Sequence, residues 1–165
     1  MNSNMPHLGS PYLKLLATLL VSFMIMYAVM FLNVASIDHI YLSLNRTYMA
    51  LLMVAPMPLL MLSFMRHMYP NRKKNLFLAL ASSAVFVAAL AMLRNQTFIS
   101  DEQYMKAMIP HHSSAIMTST HANLMRADAQ KLARDIIETQ IREIELMKQY
   151  LQIKGEALPQ AGEAQ

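Results

Sequence analysis

The sequence predicts an all-α membrane protein: three transmembrane helices followed by an extracytoplasmic α-helical hairpin. Three observations predict it. The chain holds three long apolar stretches without a formally charged residue. Only 15% of its residues are charged and 55% are hydrophobic, whereas a soluble domain carries about 25% charged residues. Past Arg94 the pattern becomes amphipathic, with apolar residues at steps of three and four.

The first stretch runs from about Leu15 to Leu32, the second from about Tyr48 to Met65 and the third from about Leu76 to Leu93. Each is close to the ~20 residues that a bilayer demands. Ser22 and the Ser82–Ser83 pair are tolerable there, because a hydroxyl can bond the preceding turn's carbonyl. The first stretch exceeds the roughly 7–15 residues of a signal-peptide core, and no clear A-x-A site follows, so a retained anchor is expected. Orientation follows from the loops. Arg66, Arg72, Lys73 and Lys74 crowd the connection between the second and third spans, while the first connection has Arg46 balanced by Asp38. The positive-inside rule therefore predicts a cytoplasmic N-terminus and an outside C-terminal domain. The formal charge of +4 is a topology signal placed this way, and no nucleic-acid partner is expected.

Residues 1–94 are thus expected to form the membrane domain, 95–154 a helical hairpin and 155–165 a flexible tail rich in Gly, Pro, Glu and Gln. Ser100-Asp101-Glu102-Gln103 has the form of a capping box, in which Ser100 accepts from the Gln103 amide and the Gln103 side chain reaches back. The first outer helix carries the stripe Asp101, Met105, Met108, His112, Ala115, Ser119, Ala122; the second carries Ala133, Ile137, Gln140, Ile144, Met147, Leu151. Antiparallel pairing about a turn near residue 127 sets Met108 opposite Met147, and His112 opposite Glu143 and Ile144. A single hairpin is too small to bury a sound core. Two, from two chains, make a four-helix bundle, so a homodimer is expected.

The residues Met108-Ile109-Pro110-His111-His112, Ala115-Ile116-Met117, Leu132-Ala133, Ile137, Gln140, Glu143-Ile144 and Met147 form a pattern over Asp101–Leu151. That pattern resembles the DUF305 family, and the segment from Tyr48-Met49-Ala50 to Met68-Tyr69-Pro70 is similar to its membrane-anchored branch. The resemblance implies a ferritin-like helical bundle in a bacterial inner or plasma membrane. It also implies copper or silver binding in metal tolerance, as in some extracytoplasmic members. Members with two tandem hairpins differ from this chain, which has one.

The chemistry-bearing residues are Met105, Met108, His111, His112, Met117, His121, Met125 and Met147. The chain has 17 Met and no Cys. Thioether and imidazole suit the soft ions Cu(I) and Ag(I), whereas carboxylate and water suit hard ones. Met108 and His112 are four apart and share a helix face, Met105 extends it by a turn, and Met147 approaches from the other helix. Gln140 and Glu143 stand behind these ligands, with Glu143 placed to fix a histidine tautomer. The set is soft, neutral and free of carboxylates, so Zn(II), Mg(II) and Ca(II) are expected to compete poorly. Met117, His121 and Met125 form a second row at four-residue spacing. Imidazole ligates only when neutral, so binding is expected to weaken as pH falls through the ordinary histidine range near ~6.5. The plain alternative is packing, for which Met is well suited. Pro110 either kinks this helix or begins a new one at its first position.

A possible membrane row is Met49, Met53, Met57, Met61 and Met65, at unbroken four-residue spacing in the second span. It is either a thioether path or a packing ridge. Pro56 and Pro58 deprive the carbonyls of Leu52 and Val54 of their helical donors. The sequence contains no G-x-x-x-x-G-K-[ST], G-x-S-x-G or H-E-x-x-H motif, and no enzyme is expected. The inward positions are Met, His and Gln rather than the Glu and Glu-x-x-His of di-iron bundles. Two functional readings follow. One is a soft-metal protein that sequesters or relays Cu(I), with Ag(I) as its mimic, no organic cofactor and a possible metal-handling membrane partner. The other is a structural or interaction protein whose bundle dimerises and whose Met-rich span packs a partner.

Overall fold

The computed structural model describes residues 10–156, with side chains as far as residue 152. The described residues are all-α. They contain the helices α1 (Pro11–Val29), α2 (Leu44–Val54), α3 (Met57–Phe64), α4 (Arg72–Arg94), α5 (Asp101–His121) and α6 (Ala127–Glu156). They divide into two compact units, one made of residues 10–29 with Arg46–Thr97 and the other of Met30–Asn45 with residues 98–156.

In the first unit, three helical segments are long and apolar enough to cross a membrane: Pro11–Val29, Leu44–Phe64 and Arg72–Arg94. At 1.5 Å per residue the first is about 28 Å long, close to the ~30 Å hydrocarbon core of a bilayer. Their apolar side chains point outward: Met24 is 67% exposed, Phe77 71% and Leu80 63%. A water-facing surface rarely carries so continuous an apolar face. The buried residues of this unit include the small Ala50, Ala55, Ser82 and Ala89 beside the larger Leu15, Tyr48, Val54 and Tyr69. Small residues let backbones approach in lipid, where the hydrophobic effect between helices is lost.

The middle span is broken, and the break corrects the expected Met ridge. α2 stops at Val54 and α3 starts at Met57. Pro56 and Pro58 have no N–H to return to Leu52 and Val54, so the hydrogen-bond ladder cannot run through. Pro58 falls in the first turn of α3, where a missing donor costs little. Met49 and Met53 are therefore on α2 and exposed, Met57 and Met61 on α3 and half-buried, and Met65 is the C-cap of α3. The five residues do not share one helix ridge.

α4 is closed at both ends by its own sequence. Asn71 accepts the Lys74 amide at 3.1 Å as N-cap. At the other end the Thr97 amide bonds the Met92 carbonyl at 3.0 Å and the Gln96 amide bonds Leu93 at 3.4 Å. That is a Schellman cap, with Gln96 at φ 50 in the place usually given to glycine. The Tyr48 hydroxyl secures it by donating to the Thr97 carbonyl at 2.9 Å.

In the second unit α5 and α6 run antiparallel: His112 meets Glu143, and Tyr150 meets Asp101. The turn lies at residues 122–126. Ser100 caps α5 by accepting the Gln103 amide at 3.4 Å. The reciprocal half of the capping box is absent, because the Gln103 side-chain carbonyl instead accepts the Leu44 amide at 2.9 Å. Pro110 lies inside a continuous α5, fully buried, so no new helix begins there. The core is Ile109, Ile144 and Met147, with Tyr41, Met105, Met108, Ile116 and Leu151 packed on it.

The connection between α1 and α2 belongs to this second unit as a clasp on α5. Ser113, fully buried, accepts the Ala35 amide at 2.8 Å, and its hydroxyl lies 2.8 Å from His39 Nδ1. Asn33 donates to Ser114 at 2.7 Å, and Lys148 reaches Asp38. Of the tail expected from Gly155, Gly155 and Glu156 close α6, and 157–165 lie outside the described residues.

Candidate metal centre

Helical periodicity brings Met105, Met108 and His112 to one side of α5 on successive turns, and Glu143 and Met147 to the facing side of α6. Together with Tyr104 and Leu146 they line an open cavity of about 440 Å³. Met147 is 9% exposed and is held by the core beneath it; Met105 and Met108 are half-buried against that core. Four of the eight candidate ligands therefore face one space, three of them thioethers and one an imidazole.

The orientation of His112 is fixed at both nitrogens. Nδ1 lies 2.8 Å from the Met108 carbonyl one turn back. A carbonyl only accepts, so Nδ1 carries a hydrogen, which leaves Nε2 as the nitrogen that can coordinate an ion once its own partner has left it. Nε2 in turn sits 2.8 Å from Glu143 Oε2. The expected arrangement is thus altered. The backbone carbonyl of Met108 holds Nδ1, and Glu143 holds Nε2. A set expected to be free of carboxylates has one within reach of the same imidazole. The His112 side chain is only 13% exposed, whereas that of Glu143 is 42% exposed and can move into solvent.

The other candidates lie apart from this cavity. His111 is exposed, its ring 6.0 Å from that of His112 in an edge-on arrangement. His121 is exposed and bonds its Nδ1 to the Met117 carbonyl at 2.9 Å. α5 ends at His121, so Met125 falls in the turn, 88% exposed, and the second row stops after two members. Gln140 is half-buried on α6 about one turn before Ile144 and does not line the cavity. Among the described residues no three His, Asp or Glu side chains cluster as a metal site. The centre around His112 offers two such groups and three thioethers, which suits a soft ion better than zinc.

Sequence spacing did not disclose Tyr104 and Leu146 as lining residues, nor the clasp. Ser113 meets Ala35 and His39, partners more than seventy residues away, and no local pattern announces such a contact. In the clasp, the hydrogen bond from Lys148, helped by Ser36, holds the Asp38 carboxyl down at about 2. Burial, then the nearby Lys148 charge, pushes the His39 imidazole down, against the pull of Asp38. An acid depressed in this way stabilises the fold while ionised: fully above its ordinary 3.8, and less and less as pH falls toward about 2. Lys148→Met is expected to return the Asp38 midpoint most of the way to 3.8, read from carboxyl carbon shifts in an acid titration. A midpoint that stays near 2 would show that Lys148 is not its partner.

The model of one family, Domain of unknown function (DUF305), matches residues 62–151, a longer stretch than the helical pair alone. An uncharacterized protein of Acanthamoeba polyphaga mimivirus is 38% identical over 118 residues, covering 70% of this chain and 76% of that protein. No solved structure matches.

Proposed function

The chain belongs to the DUF305 family, whose match covers more than half of it, and from that premise we propose that it binds Cu(I) in a bilayer-anchored helical pair. The observation that carries this reading is the cavity where Met105, Met108, His112 and Met147 converge, with His112 Nδ1 held on the Met108 carbonyl so that Nε2, now on Glu143, is the nitrogen left to coordinate when Glu143 moves. The protein sequesters or relays the ion in metal tolerance, and Ag(I) substitutes for Cu(I). His112 and the thioethers hold the ion, while Glu143 moves off Nε2 and remains nearby as a compensating negative charge. The three apolar helices span a bacterial inner or plasma membrane. The basic 66–75 connection faces the cytoplasm and the pair α5–α6 faces out, where extracytoplasmic ions arrive.

Dimerisation has its own support. Leu132 is 60% exposed and Leu146 58%, and about four turns apart they share one face of α6. A second copy covers these residues in a four-helix bundle, which suits the dimeric reading of one hairpin per chain. The purified full chain is expected to take up one tightly held Cu(I) per protomer in a competition titration against a Cu(I) chelator. Zn(II) in excess is expected not to displace it. Uptake no greater than that of a membrane protein lacking these residues, or ready displacement by Zn(II), would overturn the reading.

A further inference from the structure

The unit containing the three apolar helices has no Asp or Glu; every acidic side chain among the described residues lies in the other unit. Five of its seven cations gather at one end, while Arg46 starts α2 and Arg94 ends α4. Lys14 is in the first turn of α1, Arg66 follows α3, and Arg72, Lys73 and Lys74 form the first turn of α4, and all five are exposed. Three cations in that first turn oppose the positive end of the helix dipole and repel one another. With no carboxylate in the unit, their counter-charge comes from outside it.

The arrangement is held in place. The Asn71 amide donates to the Tyr12 hydroxyl at 3.1 Å, and that hydroxyl donates to Asn75 Oδ1 at 2.9 Å. The Asn75 side chain donates to the Tyr69 carbonyl at 2.8 Å, and the Tyr69 ring packs 5.5 Å from that of Tyr12. Lys74 Nζ lies 5.1 Å from the centre of the Tyr12 ring. The start of α1 and the start of α4 are therefore tied into one polar and aromatic frame that presents fixed cations. Two tyrosines at the ends of apolar helices are the signature of the headgroup layer. An anion available at that level is lipid phosphate.

We propose that this end of the unit is a docking surface for the phosphate headgroups of anionic phospholipids, seated on Arg72, Lys73 and Lys74 and flanked by Lys14 and Arg66. The proposal rests on the reading of the three helices as membrane spans. Near an anionic leaflet each Lys or Arg contributes roughly fivefold in attraction, so a cluster of this size selects anionic lipid over zwitterionic lipid.

The full chain is reconstituted in nanodiscs of phosphatidylcholine mixed with phosphatidylglycerol, and the lipids it retains on stripping are counted by native mass spectrometry. Phosphatidylglycerol is expected to be enriched at least about tenfold over its bulk share. The variant Arg66→Gln/Arg72→Gln/Lys73→Gln/Lys74→Gln is expected to fall to the bulk ratio. Two controls are expected to keep the enrichment: Arg94→Gln, at the far end of α4, and the charge-keeping Arg72→Lys/Lys73→Arg. Equal retention of both lipids by the parent, or undiminished enrichment in the quadruple variant, overturns the proposal. So does full displacement by inorganic phosphate alone, which marks a free-anion site. Extraction with alkaline carbonate separates the two readings. A chain released without detergent sinks the membrane reading and this one with it, whereas a retained chain without headgroup preference sinks only this one.

Discussion

Replacing His112 by Ala and Met108 by Leu is expected to lower Cu(I) affinity on the order of 100-fold or more while leaving α5 and α6 helical. Loss of a group that merely orients a ligand costs about 10–100-fold in metal binding, and the double variant removes an imidazole and a thioether outright. The two are bound to each other as well. The Met108 carbonyl takes the His112 Nδ1 hydrogen at 2.8 Å, so the residue that supplies one donor also aims the other. Met108→Leu alone keeps that carbonyl and roughly keeps volume, so its packing loss stays below about 1.5 kcal/mol. It removes only the sulfur and is expected to have the smaller effect of the two single changes. A chelator competition read beside circular dichroism separates donor loss from unfolding. If the double variant holds Cu(I) as tightly as the parent with helicity unchanged, these side chains are packing residues.

The helices were legible in the sequence because their signals are local. Apolar runs of membrane length, the Ser100 cap and the four-residue spacing of Met108 and His112 all act within one or two turns. The facing of His112 and Glu143 also followed, since antiparallel pairing about one turn leaves few registers open. What escaped was of another kind. The Met ridge of the middle span looked continuous because spacing was weighed over the paired prolines, although Pro56 and Pro58 lie in its centre and stop the ladder there. Gln103 was assigned to its own helix cap, but the Leu44 amide at the start of α2 takes its carbonyl. The clasp around Ser113 depends on residues 33–39 returning to α5, and contacts of that separation leave no periodic trace. Spacing set Glu143 beside a histidine but left open which histidine and which ring nitrogen it meets. Spacing brings two side chains to one level, and which ring nitrogen faces which partner depends on the χ2 angle and on the competing backbone carbonyl.

The last of these shifts matters for selectivity. A carboxylate and an imidazole at 2.8 Å are two of the groups that zinc uses. The remaining donors in the cavity are the thioethers of Met105, Met108 and Met147, to which zinc binds weakly. Discrimination therefore rests on the sulfurs more than on the histidine, and on Glu143 being exposed enough to leave.

Ile109→Ala is expected to destabilise the α5–α6 pair by about 2–5 kcal/mol and to weaken Cu(I) binding without removing a donor atom. Ile109 is fully buried and forms the core with Ile144, 3% exposed, and Met147, 9% exposed. Met105 and Met108 pack on that same cluster, so it supports all three thioethers of the cavity. Truncation to Ala leaves a void that Met147 can fall into, away from the His112 side of the cavity. Ile109→Val deletes one methylene and is expected to cost about 0.5–1.5 kcal/mol with binding retained. Ile141→Ala, on the exposed face of α6 at 45% exposure, is expected to stay within about 0.5 kcal/mol for the protomer. Amide hydrogen exchange along α6 in the full chain reads these costs directly, because opening of the pair exposes the α6 amides together. Protection that falls steeply for Ile109→Ala, slightly for Ile109→Val and hardly for Ile141→Ala locates the support of the site. Equal protection in all three would place the core elsewhere, and the cavity would then owe its shape to the clasp of residues 30–45.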